Sequence, residues 1–182
     1  MNIIFWLIIG AEIAFWLLVL GGLTARYIWK KPRLSLILFA LVPVVDLILL
    51  ASATIDMIGG ATATFAHSLA AVYIAVSLVF GKRMIAGADA WYRKWILKES
   101  GEKKKLYGME YSIASLKFTL HHLAAYLIGT GLMWLVIWLV GNSDRTLIMS
   151  SYIKLWSVIM MIDIIITVTY FIWPRKRKTS DA

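Results

Sequence analysis

The chain has 182 residues, of which 61% are hydrophobic and only 16% are charged, and its mean hydropathy is +0.79. Soluble domains are about 45–50% apolar and about 25% charged, so this composition excludes a soluble globular enzyme. The net charge of +9 does not indicate a nucleic-acid partner, because the basic residues lie in clusters between long apolar segments. The absence of cysteine excludes disulfides, thiolate metal sites and covalently attached haem.

Five apolar stretches are long enough to cross a bilayer, since a hydrocarbon core of about 30 Å requires roughly 20 helical residues. The predicted spans cover about residues 3–25, 34–55, 60–81, 118–140 and 150–172. The first span has no basic segment before it and no clear small-residue cleavage site, so it is predicted to be a retained helix rather than a signal peptide. The sequence therefore predicts an all-α, polytopic membrane protein with a single membrane domain.

The charges between the spans predict the orientation through the positive-inside rule. Seventeen of the nineteen Lys and Arg residues lie in the first loop, in the connection 82–117 and in the tail 174–182, which share one side of the membrane. Arg145 and Lys154 are the two on the other side. We therefore expect the N-terminus outside, the C-terminus in the cytoplasm, a plasma-membrane location, and basic segments that contact anionic lipid headgroups.

The long connection 82–117 has two predicted parts. Residues 84–97 place apolar side chains near helical spacing, a pattern typical of an amphipathic helix lying at the cytoplasmic interface. Residues 99–110 are polar and charged, and they predict a mobile linker.

Four ionisable side chains on four different spans are predicted to lie within about 5 Å of the middle of the membrane. They are Glu12, Asp46, His67 and Asp163. A charged side chain at the bilayer centre costs at least about 2.5–3.5 kcal/mol, so these residues are candidates for binding an ion or a proton. Such a layer would ligate a divalent cation or relay protons. The alternative is that the acids are protonated and only join neighbouring helices through hydrogen bonds.

The histidines raise the possibility of a b-type haem held by two imidazoles. His67 is predicted in the outer half of the membrane and His121 and His122 on the inner side, with an axial separation on the order of 15–20 Å, which disfavours haem. The adjacent pair is expected near the headgroups and is kept as a secondary candidate site. No cofactor is predicted apart from a possible cation, and the metal is left undetermined. Small residues on the same helical row as His67 predict close helix packing; they are Ala63, Ala71 and Ala75.

A resemblance to a known family lies within residues 42–91. It is carried by VPVVDLILL at 42–50, by ATIDMIGGATATFAHSLAAVYIAVSLVFGKRMI at 53–85 and by ADAW at 88–91. These segments resemble a family of small integral membrane proteins of Gram-positive bacteria that has no assigned reaction. The resemblance implies a bacterial plasma membrane, and it adds Asp56 and Asp89 as secondary candidates for the site.

No catalytic motif or metal-binding motif is recognisable, so the sequence favours a protein that is not an enzyme. The leading hypothesis is an accessory or scaffold protein that acts through a membrane-protein partner or as a homo-oligomer. The first alternative is a proton- or cation-coupled transporter that uses the four midplane side chains, and the second is a haem-binding membrane protein. An enzyme acting on lipid stays open, with no nucleophile–base pair to support it.

Overall fold

The computed structural model describes residues 3–95, 98 and 106–174. Five α-helices follow one another along the chain: α1 Ile3–Tyr27, α2 Pro32–Ile58, α3 Phe65–Trp95, α4 Gly108–Val140 and α5 Leu147–Ile172. The described residues form no strand. Each helix contains an apolar stretch long enough to cross a membrane, so the prediction of an all-α protein with five spans is confirmed.

The helices pack in chain order, each against the next, and α4 also contacts α2 while α5 also contacts α3. Helices α2 to α5 thus form the compact part of the bundle, and α1 packs on α2 at its side. Alanine and methionine dominate the buried core, as at Ala53, Met57, Ala71, Met133 and Met149. In lipid the outer surface is as apolar as the core, so close packing through small residues, rather than hydrophobic burial, holds such helices together.

One end of the bundle, here named the turn end, contains the α2–α3 and α4–α5 connections. The Asn142 side chain accepts hydrogen bonds from the backbone N–H groups of Asp144 and Arg145, both at 3.1 Å, and closes the α4–α5 turn. The Arg145 guanidinium donates to the Met57 carbonyl at 3.1 Å, at the end of α2, and the Arg145 carbonyl accepts the N–H of Ala63 at 2.7 Å. These bonds tie the two connections to each other.

The opposite end, here named the basic end, contains the α1–α2 loop, the α3–α4 connection and the end of α5. Asp89, near the end of α3, accepts hydrogen bonds from both Nε and Nη2 of Arg26 and from the hydroxyl of Tyr27, which lies 3.0 Å from Oδ1. A carboxylate held by both nitrogens of an arginine fork is among the stronger polar contacts in proteins. This contact fastens the end of α3 to the end of α1.

Helices α3 and α4 are longer than the sequence predicted. Residues 84–95 were expected to belong to a separate interfacial helix, but they continue α3 without a break. Helix α4 begins at Gly108, ten residues earlier than expected, within the predicted linker. At about 1.5 Å per residue these helices measure roughly 46 and 50 Å, well beyond a hydrocarbon core of about 30 Å. Both therefore extend out of the membrane at the basic end. Residues 96–97, 99–105 and 175–182, which include most of the predicted linker and the basic tail, lie outside the described residues.

The extension of α3 has a physical cause. No proline interrupts residues 65–95, so every residue of the segment has the backbone N–H that a continuous helix needs. The contact of Asp89 with Arg26 and Tyr27 then holds the extended part beside α1 instead of leaving it to lie on the interface. An amphipathic pattern fits both arrangements, and this tertiary contact selects one of them.

Candidate functional site

Of the four predicted midplane side chains, the three that the structure describes do not lie together. Asp46 lines a cavity between α1, α2 and α3, whereas Asp163 hydrogen-bonds to α4 and lines a different cavity. His67 lies in the first turn of α3, and the side chain of Glu12 is outside the part that the structure describes. Among the described residues, no group of three His, Asp or Glu side chains is placed to hold a metal ion.

A row of paired polar groups, here named the polar seam, joins α4 to α5. From the basic end toward the turn end the pairs are Ser112 with the Tyr170 carbonyl at 2.5 Å, Thr119 with Thr167 at 2.7 Å, His122 with Asp163 at 3.0 Å and Tyr126 with Ser157 at 2.7 Å. The α4 members are seven, three and four residues apart, which places them on one helix face, as in a coiled-coil seam. Toward the turn end the same contact becomes apolar, with Met133, Val136, Met149 and Ile153 buried.

The contact between His122 and Asp163 is the one carboxylate–imidazole pair of the polar seam. His122 Nδ1 lies 3.0 Å from Asp163 Oδ2, and both side chains are about a third exposed. The hydrogen bond gains charge attraction when the imidazole carries a proton. The neighbouring His121 is placed differently, because its Nδ1 lies 2.6 Å from the Lys117 carbonyl of its own helix. The two adjacent histidines therefore do not act as one pair.

A cavity of about 510 Å³ adjoins the polar seam between α3, α4 and α5, and we name it the α3–α5 cavity. Most of its walls are apolar side chains, including Val76, Phe80, Ala125, Trp156 and Met160. Its polar groups are supplied by Arg83, His122 and Asp163. The Arg83 guanidinium lies 5.6 Å from the ring centre of Phe118, and the His122 ring packs on the same phenylalanine at 4.4 Å. The arrangement suits a ligand with an apolar body and a polar head.

A smaller cavity, of about 280 Å³, lies between α1, α2 and α3, and we name it the α1–α3 cavity. Asp46 lines it together with Phe15 and Trp16 from α1 and Tyr73 from α3. Asp46 is only 7% exposed, and its Oδ2 atom is buried with no hydrogen-bond partner among the described residues. A buried polar atom without a partner is expensive, so this carboxyl group calls for an explanation.

His67 has a local role at the start of α3. Its Nδ1 accepts a hydrogen bond from the Thr64 N–H at 3.1 Å, and its Nε2 is buried without a partner among the described residues. Helix α3 begins at Phe65 rather than near residue 60, so His67 lies at the turn end and not near the middle of a span. The sequence-based depth of this residue was wrong because the start of the helix was placed too early.

The remaining predicted residues lie in helix contacts and turns. Asp89 belongs to the contact with Arg26 at the basic end, and the backbone carbonyl of Asp56 accepts the N–H of Ala61 in the turn after α2 at 3.1 Å. The alanines predicted to pack on one row with His67 are all buried, but Ala63 lies in the connection before α3 begins, so only Ala71 and Ala75 share a helix with His67. The sequence analysis did not predict the pairing of His122 with Asp163. The signal was the spacing of seven, three and four residues between the polar positions of α4, which places them on one helix face.

A curated relative covers almost the whole chain. The chain is 46% identical over 180 residues, which are 99% of its length and 97% of the relative's, to the Bacillus subtilis (strain 168) protein named "Uncharacterized membrane protein YmcC". No protein-family model matches the chain, and no solved structure matches it.

Proposed function

This chain belongs to the family of Gram-positive membrane proteins that includes Bacillus subtilis YmcC, and we propose that it is a non-enzymatic accessory protein that binds an amphiphile. Its multi-pass membrane character follows from the five apolar helices and from the relative. The proposed ligand occupies the α3–α5 cavity, with its apolar body between the helices and an anionic head toward Arg83 and His122. In this role the protein holds the amphiphile for a membrane-protein partner or for a second copy of itself.

The α3–α5 cavity is the observation that carries the proposal. Its volume of about 510 Å³ falls within the roughly 300–1,000 Å³ typical of small-molecule sites, and its polar groups are few. Arg83 lies about 27 Å along α3 from the first helical residue, so its charge falls near the edge of a hydrocarbon core of about 30 Å. A ligand head at that depth meets the headgroup layer while its apolar part stays among the helices.

The pairing of the polar groups supports a binding role over an ion pathway. Along the polar seam each side chain is bonded across to the neighbouring helix, and Asp46 and Asp163 line different cavities. A continuous path for a proton or a metal cation needs polar groups that follow one another across the bundle. A haem would need two imidazoles facing one iron, and His67 and His122 lie in different parts of the molecule.

We place the protein in the plasma membrane with the N-terminus outside and the basic end in the cytoplasm. The support is the excess of Lys and Arg in the segments at that end, since cytoplasmic loops carry such an excess. The head of the ligand then lies at the inner leaflet, where anionic lipids attract basic residues.

Native mass spectrometry of the protein released from nanodiscs of mixed phosphatidylglycerol and phosphatidylcholine tests the amphiphile site. We expect one retained amphiphile per chain. Val76→Trp fills the cavity and should lower the retained fraction about tenfold or more, whereas Leu78→Trp, on an exposed part of the same helix, should leave it unchanged. The same spectrum reports the number of protein copies and any partner.

The polar head is tested by a second pair of variants. Arg83→Gln removes the charge at the cavity and should weaken retention of an anionic amphiphile about tenfold, while Lys82→Gln removes a neighbouring charge that does not line the cavity. Two results would show that the cavity is not a binding site. One is a polypeptide free of lipid in every preparation, and the other is equal retention of the amphiphile by Val76→Trp and Leu78→Trp.

A further inference from the structure

The α1–α3 cavity carries a second binding site that is independent of the amphiphile site. We propose that it binds a compact organic cation, of the alkylammonium class, with Asp46 as the counter-ion and with Phe15, Trp16 and Tyr73 as aromatic walls. Each part of this assignment rests on a separate feature of the cavity: an unpaired acid, aromatic rings and an opening toward lipid.

The acid is the first feature. Asp46 lies near the middle of α2, is more than nine-tenths buried, and has an Oδ2 atom without a hydrogen-bond partner among the described residues. The other described acid that lines a cavity, Asp163, is already bonded to His122. Buried acids are normally paired, so a missing partner at Asp46 points to a ligand that supplies it.

The aromatic rings are the second feature. Phe15 stacks with Tyr73 at a centroid distance of 6.5 Å, and it meets Trp16 edge to face at 5.5 Å, so α1 and α3 contact each other through rings at the cavity wall. Aromatic faces attract cations, and tryptophan attracts them most strongly. An acid beside three rings is the combination that recognises an ammonium group.

The cation is organic rather than a metal ion. Asp46 is the sole carboxylate among the described residues that line the cavity, and most of the other lining side chains are alanine, leucine and aromatic residues. Metal cations such as Ca²⁺ take six to eight oxygen ligands, which these walls do not provide. An alkylammonium ion instead needs one counter-charge and apolar contact for its substituents.

The route of entry is from the bilayer. Helix α1 packs along α2, and its contacts with α3 at this level are made by side chains, which leaves the cavity open between α1 and α3. Trp16 is 56% exposed and Tyr73 is 47% exposed on this lipid-facing side. Because Asp46 lies far from the headgroup layer, the occupant is a free lipophilic amine rather than the headgroup of a lipid.

Binding of radiolabelled N,N-dimethylbenzylamine, which is protonated at neutral pH and has one N–H to donate to Asp46, tests the proposal on the full chain in phosphatidylcholine nanodiscs. We expect saturable binding that isobutylbenzene, the uncharged carbon analogue, does not displace. Asp46→Asn should weaken binding about tenfold or more, and Asp56→Asn, which removes an acid outside the cavity on the same helix, should not change it.

The aromatic walls and the fold have their own controls. Tyr73→Leu and Trp16→Leu should each weaken binding by about two- to thirtyfold, whereas Trp138→Leu, at an exposed position of α4, should not. Thermal unfolding of each variant reports folding. If Asp46→Asn does not fold, the comparison of the cation with its uncharged analogue on the unmodified chain still shows whether binding depends on the positive charge. Absence of saturable binding, equal binding of the analogue, or a folded Asp46→Asn variant with unchanged affinity would each overturn the proposal.

Discussion

Among the glycines that the structure describes, Gly129 on α4 is the one at which an added methyl group meets the closest contacts. A Cβ atom built there lies 2.4 and 2.6 Å from two ring carbons of Trp156 and 3.3 Å from the Cβ of Ala75. Carbon atoms in contact are normally about 3.5–4.0 Å apart, so Gly129→Ala requires the indole ring to move by about 1 Å. That ring is rigid, and it packs edge to face on Tyr126 at 5.8 Å, which limits where it can go.

The size of the effect follows from comparison with Gly131, two residues further along α4. A Cβ atom added at Gly131 has no neighbour within 4 Å. Both substitutions gain helix propensity, up to about 1 kcal/mol, and this gain cancels in the comparison. Overpacking costs about 1–3 kcal/mol, so Gly129→Ala should be less stable than Gly131→Ala by that amount. For a chain of this size, the melting temperatures should then differ by about 2–12 °C.

Thermal unfolding in one fixed detergent, followed by far-ultraviolet circular dichroism, measures this difference. Trp156→Phe, which lacks the two clashing carbons, should recover most of the loss in the Gly129→Ala background. A double-mutant cycle isolates that coupling. Equal melting temperatures for the two alanine variants, or the same loss with and without Trp156→Phe, would refute the close approach of α4 to α5 at this position.

Three further predictions test two other helix contacts and the orientation of the chain in the membrane. Asp89→Asn should lower the free energy of unfolding by about 1.5–3 kcal/mol and increase hydrogen exchange near the end of α3. The charge-reversed pair, Arg26→Asp with Asp89→Arg, should recover part of this loss. Hydrogen-exchange mass spectrometry measures both effects, and unchanged exchange in Asp89→Asn would contradict the contact. Thr119→Val should lower the free energy of unfolding by only about 0.6 kcal/mol, and adding Thr167→Val should lower it almost no further. Chemical unfolding measures both values, and a large additional loss in the double variant would contradict the hydrogen bond between the two hydroxyls. The chain has no native cysteine, so a single added cysteine reports the side of the membrane on which it lies. Ser143→Cys should react with a membrane-impermeant maleimide on intact cells, whereas a cysteine added to the C-terminal tail should react only after permeabilisation. The reverse result would invert the proposed orientation.

The spans could be predicted from the sequence because the length of an apolar segment reports directly on the thickness of the bilayer. The ends of α3 and α4 could not. Residues 84–95 have a pattern that fits a helix on the membrane surface as well as one that leaves it, and the deciding contact joins Asp89 to Arg26, 63 residues away in the chain. Sequence periodicity carries no information about a contact of that separation.

The candidate sites show a similar division. Depth along a helix can be estimated from residue spacing, and it correctly places Asp46 near the middle of its helix. The direction in which each helix face points cannot be estimated in this way. Asp163 therefore meets His122 rather than Asp46, and the two acids line separate cavities.

The bond between His122 and Asp163 has a consequence for how the chain enters the membrane during synthesis. Helix α5 carries an acid that is costly to move into hydrocarbon by itself. Helix α4 leaves the ribosome first, and only the six residues 141–146 separate it from α5. The His122 imidazole is therefore close to α5 when Asp163 enters the translocon. We expect the translocon to release the two helices as a hairpin, with α5 inserting poorly when His122 is absent.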